Sequence, residues 1–469
     1  MSDKIKGDNV TPSQNGTYIS EYQNSSEKMQ EALNNVSPSF CLAKWFNVSI
    51  HIPTGQTHSC YHPPSHKVPM SELQGNPSAL HNTKHKKEQR KMMLEGKRPP
   101  ECEFCWQIED SGNNLSDRAY RSQDVLTDGV FEEAKALGFE GDAIPKYMEV
   151  NFNQACNLNC SYCSPHLSTA WEKDIKKHGP YKLYDREHNN MDWMKERDVV
   201  PNNSPSNPYL KAFWDWFPVV YPNLKTFRMT GGEPLMDRNT FKIFDYVKEN
   251  PNPNLNLSIT SNCCPPKGQW SKFMTSLNEV TSSDSVDHFM LFCSLDTWGK
   301  DAEYIRNGLD FDKLYHNITD YLTNGSKHSL TFIVTYNMLS IPRWQEFLEN
   351  ILKLRQTYNT DRQLIWFDTP MLTYPNWMSC QLLDKHQLQP LLDSIAFMKN
   401  NAEDSSRRFK GFKDFEVAKI QRLYDWAVQV MDENERRIAV ENHYAFFAEY
   451  DRRVGKNYDD IFGNFKLKR

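Results

Sequence analysis

The sequence predicts an α/β protein built on a partial (β/α)6 barrel of TIM type, with a small N-terminal module and a helical C-terminal extension. Three observations carry this. Six short apolar or β-branched runs recur at 146–153, 224–230, 255–261, 288–296, 330–336 and 364–370, each closed by polar or turn residues as strands are. Helix-like stretches such as 239–250 and 343–356 lie between them, and such alternation implies a parallel sheet with right-handed crossovers. Three cysteines follow the first run directly, where barrel active sites collect. An open doubly wound sheet is the alternative.

In chain order, residues 1–36 are rich in Ser, Asn, Gln and charge and predict a disordered or loosely docked tail. Residues 37–125 are aromatic, Cys-bearing and His-rich, and predict a separate metal-binding module. The strand–helix pattern occupies 143–375, and 376–469 reads as a helical extension. The chain has 469 residues, 25% charged, with a net charge of −5. That balance argues against a general nucleic-acid binder, which should be basic. The first residues contain no apolar run, and no stretch approaches the ~18 apolar residues of a membrane span. The expectation is a soluble, cytoplasmic chain with no membrane or nucleic-acid partner. In a reducing compartment, clustered members of the 11 cysteines are metal ligands or catalytic groups rather than disulfides.

The segment CNLNCSYC spaces Cys156, Cys160 and Cys163 with three and then two intervening residues. Cysteine thiolates are the usual ligands of a 4Fe–4S cluster, and three of them leave one iron open to a small molecule. A structural zinc site would want four ligands in paired C-x2-C units. The second strand candidate ends in MTGGEP, Gly231 to Pro234. Paired glycines permit close backbone approach, and a carboxylate accepts from an ammonium.

These motifs resemble the radical S-adenosylmethionine (SAM) superfamily, with Tyr162 as the aromatic before the third cysteine. The resemblance covers roughly 143–375. It implies that Gly231, Gly232, Glu233 and Pro234 bind the SAM amino group through backbone and carboxylate. It places Ser261 and Asn262 at the ribose, Ser294 and Asp296 in the S-x-D position, and Arg306 against the SAM carboxylate. It implies reductive cleavage of SAM at the cluster, a 5′-deoxyadenosyl radical that abstracts a substrate hydrogen, and an electron donor such as flavodoxin or ferredoxin.

Cys41, thirteen residues, Gly55, four residues and Cys60, with Cys102 and Cys105 downstream, resemble the auxiliary-cluster region called SPASM in its shorter twitch form. Four cysteines there imply a second 4Fe–4S cluster with no open iron. A zinc site of four cysteines, or of cysteines with His58 or His62, stays open. Lys84, Lys86, Lys87, Arg90 and Lys91 predict a basic stripe on a helix, either solvated or a contact for an acidic electron donor or a substrate phosphate. By analogy with twitch relatives the substrate is a peptide or protein. The alternatives are a small molecule such as a sugar or nucleotide derivative, and a non-catalytic metal-binding protein.

Overall fold

A computed structural model describes residues 26–112, 116–184, 190–324, 328–463 and 465–468. Eleven strands occur among them: β1 Asn47–His51, β2 Gln56–His58, β3 His66–Lys67, β4 Tyr147–Asn151, β5 Asn159–Cys160, β6 Thr226–Thr230, β7 Asn252–Ser261, β8 Val286–Ser294, β9 Arg306–Asn307, β10 His328–Ile333 and β11 Ile365–Asp368. The six predicted runs correspond to β4, β6, β7, β8, β10 and β11, and they pair in parallel in that order.

The topology separates the two fold alternatives. Strand order in the main sheet is β11-β10-β8-β7-β6-β4-β1-β2-β3. From β1 through β4 to β11 each new parallel strand adds on the same side, with no reversal. A doubly wound sheet reverses at a switch point. Winding in one direction by right-handed crossovers puts every crossover helix on one face. The side chains agree. One row across the sheet runs Ile50, Val150, Met229, Ile259, Leu291, Leu330, Ile365, each at most 1% exposed. Helices Pro208–Val220, Arg238–Glu249, Gln269–Ser282, Phe311–Asn324 and Trp344–Tyr358 cover that face through ring contacts such as Phe213–Phe227, Phe244–Phe289 and Phe347–Phe332. The next row, on the opposite face, is Ser49, Glu149, Arg228, Ser258, Met290, Ser329. A parallel sheet covered by helices on both faces would be apolar on both. The established architecture is therefore a mixed α/β fold with a large, one-directionally wound parallel sheet. Its order runs from edge to edge and does not close.

Two sequence expectations need correction. Part of the predicted tail, 1–25, lies outside the described residues. The rest, Ser26–Val36, is a helix that buries Met29 and Leu33 completely. Apolar residues at i and i+4 lie on one helical face, and this face packs against the helix Asp117–Asp124. The N-terminal region is also not a detached module. β1 pairs with β4 along its whole length, making a seventh parallel strand, and β2 and β3 extend it as antiparallel edges. Residues 47–80 contribute Val48, Ile50, Ile52 and Leu80 to the main core, while 29–46 and 93–147 form a second apolar cluster.

Two cysteine sites and the polar networks around them

The first site grows from the loop that leaves β4. Main-chain bonds clamp this loop to the glycine-rich turn after β6: Gly232 N donates to Asn153 O (3.1 Å) and Glu233 N to Ala155 O (2.6 Å). A Cβ on Gly232 would lie 2.4 Å from Ala155 O, so the glycine is required by contact between two protein loops. The loop's far end is held by β5, which pairs with β9 and aligns Cys160 with Arg306.

The three thiols are close enough to repel one another as thiolates, and burial is the largest cause that lifts each above its usual range, Cys156 to about 12. Two donors oppose this. Leu158 N lies 3.4 Å from Cys156 Sγ, and Arg306 Nη1 lies 3.8 Å from Cys160 Sγ. Arg306 is itself fixed by Asp296, through Nε–Oδ2 and Nη2–Oδ1 at 2.9 Å each. Asp296 also accepts from the Tyr162 hydroxyl (2.9 Å) and Thr335 N (3.0 Å). Arg306 and Asp296 thus partner each other beside the Cys160 thiol.

Glu233 is wholly buried. Its carboxylate accepts from Leu235 N (3.1 Å), Ser261 Oγ (2.9 Å) and Asn262 N (2.7 Å), while burial raises it to about 7. Asn262 in turn reaches Asn157 in the cysteine loop (2.9 Å), and Asn157 donates to Cys264 O (2.9 Å). Glu233, Ser261 and Asn262 therefore tie the ends of β6 and β7 to the cysteine loop. Gly231, Gly232 and Ser294 keep solvent exposure, whereas Pro234 is buried. Sequence reasoning missed Asn153 and Asn157, since a lone Asn in a loop carries no local signal.

The second site collects the remaining candidates. Cys41, Cys60, Cys102 and Cys105 line one small cavity with Lys44, Asp117, Arg118 and Arg121. The cysteines come from four separate places: the start of the short helix Ala43–Phe46, the turn after β2, and both ends of the CEFC segment. Gly55, in the turn between β1 and β2, has φ +66°, and a Cβ there would strike the Tyr209 ring at 2.2 Å. Burial lifts Cys60 to about 12 and Cys102 to about 11. Burial also disfavours the Lys44 cation, but Cys102, Glu101 and Cys60 together outweigh it and hold Lys44 charged, ion-paired with Glu101. The Arg121 Nε is buried without a hydrogen-bond acceptor.

Neither histidine named for a zinc alternative lines this cavity. His62 pairs with Asp117 (2.7 Å) and stacks on Phe104, and His58 bridges Cys60 O (2.5 Å) to His51 Nε2 (3.1 Å). The predicted basic stripe is split. Lys86 and Arg90 are buried, Lys86 on Thr57 Oγ1 and His58 O, Arg90 on Lys44 O and Asn82 Oδ1, while Lys84 stays exposed. Among the described residues, no three Cys, His, Asp or Glu side chains converge as ligands of a single metal ion. No helix among them is long and apolar enough to cross a membrane.

No family model and no curated protein matches the chain. Among solved structures it is similar to SuiB of Streptococcus suis bound to precursor peptide SuiA. The TM-score is 0.35 and the identity 13%, covering 67% of this chain and 64% of that one. The chain thus spans less than two thirds of SuiB's length, and a likeness of this size carries no functional argument.

Proposed function

We propose that the chain is a radical SAM enzyme in which Cys156, Cys160 and Cys163 hold a 4Fe–4S cluster with one iron open to SAM. The observation that carries this reading is the setting of the three thiols. They sit on a loop past the C-terminal end of a parallel strand, clamped to a glycine-rich turn, with a buried guanidinium on Cys160 Sγ. The donor set fits the group: three thiols, buried at Cys160 and half-buried at Cys156 and Cys163, resist ionisation as they stand, and positively charged iron would supply the compensation. In a cluster each thiolate takes a different iron, so the ligands surround it rather than meet at one point.

When bound, cluster and SAM would supply one-electron cleavage of a carbon–sulfur bond and a hydrogen-abstracting radical. The chain's own residues orient and enclose. Arg306, held by Asp296 and Tyr162, would steady the Cys160 thiolate. Gly231, Gly232 and Ser294 are the exposed members of the SAM set and would touch it. Glu233, Pro234, Ser261 and Asn262 would shape its wall from behind. The one-directional winding and the polar inner row support a partial barrel around this site.

Cys41, Cys60, Cys102 and Cys105 are proposed to hold a second 4Fe–4S cluster. The cations Lys44, Arg118 and Arg121 around the cavity suit the net negative charge of a four-thiolate assembly. A peptide or protein substrate and a flavodoxin- or ferredoxin-type donor complete the proposal on the strength of the resemblance.

Anaerobic reconstitution tests it. Two clusters predict about eight iron per chain, and Cys156→Ala should abolish reductive formation of 5′-deoxyadenosine. Unchanged cleavage in that variant defeats the assignment. Four iron plus one zinc defeats only the second cluster.

A further inference from the structure

An open cavity lies beside the first cysteine loop, yet it belongs to the helix-covered side of the sheet. Its floor includes Ile52, Phe152, Leu210 and Met236. Phe152 continues the apolar row of β4 and packs on Phe213 and Trp214 of the helix Pro208–Val220.

The polar wall has a one-sided hydrogen-bonding balance. Asp237 accepts from Asn239 N (2.7 Å), Asn239 Nδ2 (3.0 Å) and Asn153 Nδ2. Asn239 Oδ1 accepts from Trp214 Nε1 (3.2 Å). Asn207 donates to Ile52 O and Asn202 O and accepts from Tyr209 N. The amide oxygens of Asn202 and Asn203 accept from Ser204 N and Gln154 N. These acceptors are occupied. The Nδ2 groups of Asn202 and Asn203 and the exposed Arg238 guanidinium, whose charge also acts on the adjacent Asp237 carboxylate, supply the donors of this wall.

We propose that this cavity binds an organic carboxylate with an apolar stem. The guanidinium matches a carboxylate in fork geometry and is the stronger, charge-assisted contact. The two carboxamides complete the shell, and the stem lies on Phe152 and Met236. The cavity also touches the cysteine loop. Asn153, in its wall, accepts from Ala155 N (2.6 Å) through its side chain and from Gly232 N through its carbonyl. A bound carboxylate would lie one residue from the clamp that sets the first cysteine site.

Two sources share this chemistry: an acidic side chain of a peptide, and a free small dicarboxylic acid. Full-length protein as purified is titrated with succinate and with a blocked Ala-Glu-Ala tripeptide, followed by saturation-transfer NMR and calorimetry. At least one probe should saturate. Arg238→Gln should weaken it roughly tenfold or more, and an Asn202→Ala, Asn203→Ala variant should weaken it too. All three residues are exposed, so an unchanged far-UV spectrum is expected and checks folding. Tighter binding of the tripeptide supports a peptide source, and tighter binding of succinate a free acid. The proposal is overturned if neither probe saturates, or if both variants bind as the parent does. The measurement needs neither iron nor SAM, so its outcome is separate from that of the proposed chemistry.

Discussion

At the scale of single residues, Arg306 and Asp296 form a buried charge pair at the first cysteine site. Asp296 is 0% exposed and holds Arg306 through two contacts. Asp296→Asn leaves a buried guanidinium without its anion, which costs about 3–5 kcal/mol. Urea unfolding measures this, and a loss under 1 kcal/mol would mean that water replaces the carboxylate. The second site shows how geometry fixes a proton. His58 Nδ1 faces the Cys60 carbonyl and must donate to it. With both rings neutral, His58 Nε2 is then an acceptor and His51 Nε2 its donor. Burial supports neutrality by holding His58 at about 3 and His51 below its usual value. Cys60 is thereby tied through two imidazoles to the mouth end of β1. CNLNCSYC was legible as a ligand set because its spacing is local. The commitments of Glu233 and Arg306 were not, because their partners lie 28 and 10 residues away and come together only in the fold.

At the scale of elements, the glycine-rich turn packs closely on the cysteine loop. Gly232→Ala would drive a Cβ into Ala155 O and Gln154. The expected outcome is a lower melting temperature together with reduced iron retention by the first site, since the two loops must part; Gly75→Ala, which meets nothing within 4 Å at its Cβ, separates local strain from loop displacement as a control. The helix Ser26–Val36 gives a second test. Leu33→Ala removes a fully buried side chain and should cost about 2–5 kcal/mol in urea unfolding; a negligible cost would return this segment to the tail. Both misread elements have the same cause. The segment NVSIH alternates polar and apolar residues as a half-buried strand does, but its cysteine-rich surroundings suggest a metal module. Lys86 and Arg90 look like a solvated face because their burial depends on backbone carbonyls distant in sequence.

At the scale of the whole molecule, buried neutral histidines predict the acid response. His288, His328 and His443 are buried in the main fold, and burial lowers each to about 4. The unfolded chain binds these protons near pH 6.5, and the folded chain does not until about pH 4. Their stabilisation is therefore present above pH 6.5 and is lost as pH falls through that window. Each should contribute roughly 1–2 kcal/mol of loss between pH 6.5 and 5. His443 is wholly enclosed and bonds the Trp377 carbonyl, so His443→Gln should flatten the decline seen in urea midpoints. An unchanged slope would assign acid sensitivity to other groups. The C-terminal extension is tied to the sheet by a similarly enclosed pair. Arg355 meets Glu416 at 2.6 and 3.0 Å with both side chains at most 1% exposed.

By itself the sequence determined the six parallel strands and their order along the chain, since each is a short apolar run whose character is local. It determined the two cysteine groups as candidates, because ligand spacing and strand ends are properties of neighbouring residues. The tertiary structure decided the winding direction, the addition of β1 to the sheet, and the gathering of Cys41, Cys60, Cys102 and Cys105 at one cavity. It also decided which polar groups remain free. Hydrogen-bond partners are chosen by position in space, and a buried carboxylate such as Glu233 takes the donors that folding brings to it.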